Sequence, residues 1–89
     1  MKRVEITIEG GVQGVFFRQG VKEVASGLGL RGVVRNEPDG SVKIVAEGEE
    51  DNLQTLINWC RKGTTWAKVK NVQVVWKKTL DEFKNFEIA

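Results

Sequence analysis

The sequence predicts an α+β sandwich of order β-α-β-β-α-β, the split βαβ or ferredoxin-like arrangement, with two helices on one face of an antiparallel sheet and a short C-terminal fifth strand. Three observations carry that reading: strict apolar alternation near the N-terminus, two segments with apolar residues at helical spacing, and a Pro-Asp-Gly turn between two alternating runs.

Val4, Ile6 and Ile8 alternate with Glu5, Thr7 and Glu9, the period of a strand with one buried face, and this strand should end near Gly10. Helix 1 is expected over 17–28, where Val21, Val24, Ala25 and Leu28 make one apolar stripe and Gly29 suits a left-handed cap. Strand 2, 31–36, and strand 3, 41–47, flank Glu37-Pro38-Asp39-Gly40, whose residues favour a tight hairpin turn. Glu49-Glu50-Asp51 put negative charge at a second helix start, Leu53, Leu56, Ile57 and Cys60 form its apolar stripe, and Arg61, Lys62 and Gly63 close it. Val72, Val74 and Trp76 share a face of strand 4, and Phe86-Glu87-Ile88 supplies the fifth strand. No repeat, linker or low-complexity tract interrupts the order.

Composition narrows the function. At 89 residues, with 40% hydrophobic against 29% charged residues and a single Pro, the chain reads as one globular domain, 1–89. The net charge of +2 is too even to imply a polyanionic partner. No apolar run reaches the roughly 18 residues of a membrane span, and the N-terminus builds no signal-peptide core. One Cys cannot form an internal disulfide, which suits a reducing compartment. The expectation is a cytoplasmic monomer without metal or cofactor. With no His in the chain, imidazole-based catalysis is excluded and the usual zinc and haem sites lack ligands.

Between strand 1 and helix 1 lies Gly10-Gly11-Val12-Gln13-Gly14-Val15. A glycine-rich segment entering a helix turns backbone N–H groups inward and adds them to the positive field of the helix N-terminus, so it binds anions. Arg18 in the first turn breaks a local rule, because a cation there is unfavourable unless an anion compensates. The bare pattern leaves a second reading open, a tight turn with Arg18 pointing into solvent.

The run Gly10-Gly11-Val12-Gln13-Gly14-Val15-Phe16-Phe17-Arg18 resembles the signature loop of the acylphosphatases, G-x-V-Q-G-V-x-F-R. Gly32-Val33-Val34-Arg35-Asn36, then Asp39-Gly40-Ser41-Val42 and Gly48, resembles the second signature of that family. The resemblance extends to Trp59, Ala67, Val69, Phe86 and Ile88, so it spans nearly the whole chain. Departures occur at Gly11, where a basic or polar residue is commoner, at Val33, where an aromatic is common, at Glu49 and Thr65, where Pro is frequent, and at Ala89. An added glycine at 11 should raise the entropic cost of ordering the loop, and Val33 should alter packing near the site.

The resemblance implies hydrolysis of the carboxyl–phosphate bond of small-molecule acyl phosphates without a metal, with Arg18 and Asn36 as the catalytic pair. It implies a phosphate cradle from the backbone of Val12, Gln13, Gly14, Val15, Phe16, Phe17 and Arg18. The residue inventory suits this chemistry. A carboxylate leaving group, with a conjugate-acid pKa of about 4, needs no general acid. Phosphoryl transfer is mostly positioning and electrostatic stabilisation, which amides and one guanidinium supply. Asn36 would orient the attacking water; composition alone favours a turn-entering Asn before Glu37-Pro38, and the paired motifs reverse that preference.

The remaining residues read as scaffold. Cys60 belongs to a core stripe, Glu49-Glu50-Asp51 to a helix start, Lys77-Lys78 to a solvated strand end, and Phe16-Phe17 to the core beneath the loop. Two alternatives remain. A nucleic-acid module of the same topology would need aromatics on strand 3, which has none. A non-catalytic phosphate-binding accessory domain shares the signatures, and the chain's length favours a free-standing enzyme over it.

Overall fold

The computed structural model describes residues 1–89. Its elements are β1 (Lys2–Gly11), α1 (Phe17–Gly27), β2 (Arg31–Asn36), β3 (Val42–Gly48), α2 (Glu50–Lys62), β4 (Lys68–Lys78) and β5 (Phe86–Ile88). Helix α1 stops one residue before the expected end: Leu28 is the C-cap, and Gly29 takes the left-handed φ of 70°. The expected hairpin turn forms at 37–41, where the Ser41 N–H and hydroxyl both donate to Asp39 Oδ1, at 2.9 and 2.6 Å.

The five strands form one sheet in the order β4-β1-β3-β2-β5. The β1–β3, β1–β4 and β2–β3 pairs are antiparallel, with Ile6 opposite both Ile44 and Val74 and Val34 opposite Ile44. The sheet as a whole is mixed, which corrects the wholly antiparallel expectation: β5 runs parallel to β2, Val34 beside Ile88. Strand direction explains this. The C-terminal end of β4 lies at the sheet end where β2 begins, since Lys78 pairs with Lys2, Lys2 with Gly48, and Arg31 with Glu47. A chain crossing at that end to the far edge can only run back alongside β2.

Val4, Ile6, Ile8, Val34, Val42, Ile44 and Ala46 point to the helical face with no exposed surface and meet Val21 and Ala25 of α1 and Leu53, Leu56, Ile57 and Cys60 of α2. Burying each large aliphatic side chain is worth about 1.5–3 kcal/mol. Burial pushes the Cys60 thiol up to about 12, which leaves it a core residue without nucleophilic character.

The opposite face is charged, and the 79–83 segment straps across it. Glu47 is fully buried there and accepts the Leu80 N–H at 2.8 Å and Arg3 Nη1 at 3.2 Å. Arg3 also donates to Glu82 at 2.5 Å and lies over the Phe83 ring, 5.6 Å from its centroid. Lys77 is tied into this face through an ion pair with Glu5 at 3.2 Å, so it is more than a solvated strand end. Burial alone would raise the Glu47 carboxyl, but the Leu80 N–H and Arg3 outweigh it and hold the group below its ordinary 4.5.

The stabilisation from Glu47 is therefore present above pH 4.5 and is lost as pH falls through the lower folded value, because the unfolded chain takes up the proton first. Glu47→Gln should cost about 3 kcal/mol near pH 7, the scale for breaking a buried ion pair. Its stability should also decline less steeply than wild type as the medium is acidified below pH 4.5. Urea unfolding at a series of pH values checks both, and parallel curves for the two proteins would remove Glu47 from the acid response.

Candidate active site

Strand directions gather one end of the sheet into a site. The C-terminal ends of β1, β2 and β5 and the N-terminus of α1 all lie there, opposite the end at which the strap crosses. Residues 12–16 span the gap between β1 and α1, and the two residues bounding that gap, Val12 and Phe17, are each 1% exposed. Between these anchors only the Val15 side chain packs against the core.

Two side chains fasten this loop. Gln13 Nε2 donates to the Glu37 and Ser41 carbonyls, at 2.8 and 2.9 Å, using both amide hydrogens to tie the loop to the β2–β3 hairpin. The Thr64 hydroxyl donates to the Val15 carbonyl at 2.7 Å and ties it to the turn after α2. Within the loop Gly14 has φ 73° and Phe16 φ 62°, two left-handed residues flanking Val15. Alternation of that kind directs successive N–H groups to one side. No backbone N–H from Val12 to Phe16 donates to a backbone carbonyl, and α1 has no side-chain cap and no acidic residue in its first turn. Donors without carbonyl partners and a helix N-terminus without an acidic residue thus adjoin one another, the combination that favours an anion.

Val12, Gly14, Phe16, Phe17 and Arg18, with Gln19 and Ile88, line a cleft of about 270 Å³. Arg18 is half-buried and pairs with no Asp or Glu side chain; one long hydrogen bond joins its Nη1 to the Ala89 backbone oxygen, at 3.4 Å. The Ala89 N–H in turn donates to Val34 O at 2.9 Å, two residues before Asn36. Asn36 ends β2 opposite Val42 and is half-buried, and its Oδ1 is shut from solvent without a hydrogen-bond partner. It lies outside the cleft lining, as do the side chains of Gln13 and Val15, which serve as tether and packing while their backbone faces the loop.

Three expectations are corrected here. Phe16 does not enter the core with Phe17: it is 69% exposed, because its left-handed backbone turns the ring outward. Gly11 adds no freedom to the loop, since it is paired with Lys68 at the end of β1. Val33 is likewise remote from the cleft, on the sheet face opposite the buried Val34 and beside Glu87.

The acylphosphatase family model matches residues 4–88. The chain belongs to the acylphosphatase family. It is 47% identical over 89 residues to an acylphosphatase of Pyrobaculum arsenaticum, covering 99% of this chain and 94% of that protein. It is 41% identical over 87 residues to one of Pelotomaculum thermopropionicum, covering 98% and 95%. The crystal structure of acylphosphatase from Bacillus subtilis superposes with a TM-score of 0.96 at 36% identity, covering 100% of this chain and 99% of that one. Membership over nearly the full length makes the chain a hydrolase of the acylphosphatase class, with a small-molecule acyl phosphate as substrate.

Gln13 is the side chain whose structural task the sequence did not disclose. Gln13→Glu would turn an anion toward two carbonyls, and it should lower stability by about 2 kcal/mol, the cost of leaving such groups unpaired. It should also weaken inorganic phosphate binding by roughly 10-fold or more, by loosening the loop and adding like charge beside the anion. Urea unfolding and titration calorimetry check the two effects; unchanged phosphate affinity would mean that the tether does not shape the cradle.

Proposed function

We propose that this acylphosphatase binds the phosphoryl group of its substrate on the backbone N–H groups of Val12 to Arg18, with the Arg18 guanidinium clamping two of the oxygens and Asn36 orienting the attacking water. The observation that carries this reading is the meeting, in one cleft, of loop N–H donors without carbonyl partners and an arginine that no Asp or Glu neutralises. A planar fork of donors matches phosphoryl oxygens in a way an ammonium does not.

Asn36 suits water through its amide, which carries both donors and an acceptor and so can hold a water whose lone pair faces phosphorus. Its place at the C-terminal end of β2, the end of the sheet that bears the loop and Arg18, supports the role. The water oxygen forms the new bond to phosphorus as the bond from phosphorus to the carboxyl oxygen breaks. The bonding pair leaves on the carboxylate, the phosphate takes up a proton from the water, and the products are a carboxylate and inorganic phosphate. Charge spread over the equatorial oxygens is met by donors already in place, and the good leaving group removes the need for a general acid or a metal.

The reading also takes the chain as a cytoplasmic monomer that binds no nucleic acid. Cys60 is free and buried, in keeping with a reducing compartment, and no helix is long and apolar enough to cross a membrane. The open sheet face carries the Arg3, Glu5 and Glu47 network where base stacking would need exposed aromatics.

Hydrolysis of benzoyl phosphate in excess EDTA tests the mechanism. Arg18→Gln should cost at least roughly 10³-fold in kcat/KM, as for loss of an arginine contact to a transferring phosphoryl group. Asn36→Ala should lose on the order of 10²-fold in kcat while inorganic phosphate affinity holds. Full activity in folded Arg18→Gln would take Arg18 out of the reaction, and equal losses of turnover and phosphate affinity would make Asn36 a binding residue. With no imidazole in the chain, the rate should stay nearly flat from about pH 5 to 7.5; a bell-shaped profile centred there would contradict the assignment.

A further inference from the structure

Phe16 is held in a conformation that a bulky residue adopts at a cost, with φ 62° and ψ 20°, and its ring is 69% exposed. Burying that ring would be favourable and relaxing that backbone would be favourable, yet the fold does neither. A second exposed ring stands against it. Trp66, 66% exposed, meets Phe16 edge to face with centroids 5.6 Å apart. Single exposed aromatics need no explanation, but two in mutual contact beside a cleft form an apolar platform.

The surroundings fix this platform in place. Trp66 belongs to the turn at 64–67, closed by the Ala67 N–H on Thr64 O at 3.1 Å, and Thr64 is the residue whose hydroxyl holds the Val15 carbonyl. Both rings therefore ride on segments joined by one hydrogen bond. Gly63 packs so closely on Phe17 that a Cβ there would come within 2.7 Å of the Phe17 ring, which seats the start of this turn under the loop. Phe16 also lines the cleft that holds Arg18, and Ile88, 36% exposed, lines it too.

We propose that Phe16, braced by Trp66, forms the acyl subsite of the enzyme and selects substrates with aromatic or bulky apolar acyl groups over acetyl-sized ones. The inference rests on the acyl phosphate reading above and deepens it. With the phosphoryl group on the loop amides and Arg18, the carboxyl oxygen leaves the cleft past Phe16, and an aryl group attached to it stacks on the ring. Edge-to-face or offset stacking at this position binds ground state and transition state alike, so the gain is read in KM rather than kcat. Neither ring carries charge, so the platform discriminates by apolar area and leaves the phosphate chemistry untouched.

The test compares benzoyl phosphate with acetyl phosphate in wild type, Trp66→Ala and Phe16→Asn. Asn tolerates the left-handed backbone, so the second variant removes the ring and keeps the loop path. Trp66→Ala should raise KM for benzoyl phosphate by roughly 3- to 10-fold, the range for one aromatic pair, with kcat and the acetyl phosphate parameters within about twofold. Phe16→Asn should lower the benzoyl-to-acetyl ratio of kcat/KM by a similar factor. Hydrolysis of both substrates by wild type with a ratio unchanged in both variants overturns the acyl subsite and leaves the catalytic assignment standing. Absence of turnover on either substrate by wild type overturns both.

Discussion

The burial of Val12 and Phe17 on either side of a short, glycine-containing connection is the constraint on which the site depends. Both side chains are taken by the core, so the residues between them must arch outward over a span too short for a regular element. Backbone polar groups in such an arch lose their ladder partners, and burying them without replacements would cost about 1–3 kcal/mol each. On the proposed reading, an anion at the mouth of α1 restores those bonds. The proposed cradle is thus a by-product of how the core closes, and the side-chain hydrogen bonds of Gln13 and Thr64 tether the arch to its neighbours.

The same logic extends to the second edge of the sheet. Because β5 is parallel to β2, its last residues arrive at the site end, where Ile88 lines the cleft and the Ala89 carbonyl meets Arg18. That arrival depends on the strap from 79 to 85, and the strap depends on a charged cluster on the far face, with Glu47 buried beneath it. A buried carboxylate is an expensive anchor unless it is well supplied with donors, and here the Leu80 N–H and Arg3 provide them. The two faces of the sheet consequently have different tasks: one supplies the core, the other holds the crossing segment that delivers β5.

Much of this was legible in the residues. Alternation at Val4, Ile6 and Ile8 and the stripe of Leu53, Leu56, Ile57 and Cys60 follow directly from strand and helix periods, and all seven are core residues in the structure. Arg18 stood out because it violates a local electrostatic preference, a signal that needs no tertiary information. The direction of β5 was not readable, since a three-residue strand has the same pattern either way and only the position of the end of β4 decides it. Adjacent phenylalanines gave no means of assigning one ring to the core and the other to solvent; the distinction lies in the φ of Phe16. Nothing in its neighbours marks Glu47 as buried, because burial by a distant strap leaves no local trace. Asn36 was ambiguous for a related reason: a turn-entering Asn and a water-orienting Asn have the same neighbours in sequence.

Local violations and local strain therefore gather at one end of the molecule. Arg18 at a helix N-terminus, Phe16 in a left-handed conformation, loop amides without carbonyl partners and an unsatisfied Asn36 oxygen each oppose folding taken singly. A protein of this size, with net stability of roughly 5–10 kcal/mol, can carry only a few such features. On the proposed mechanism all of them are relieved or used by the same event, arrival of a phosphoryl group with its attached acyl chain and a water. Donors fixed in advance then face developing negative charge without having to reorganise, which is where electrostatic catalysis gains most of its advantage over the same reaction in water. The Val12 and Phe17 anchors, the Gln13 and Thr64 tethers and the strap behind β5 are the parts of the fold that keep these features in place until the substrate arrives.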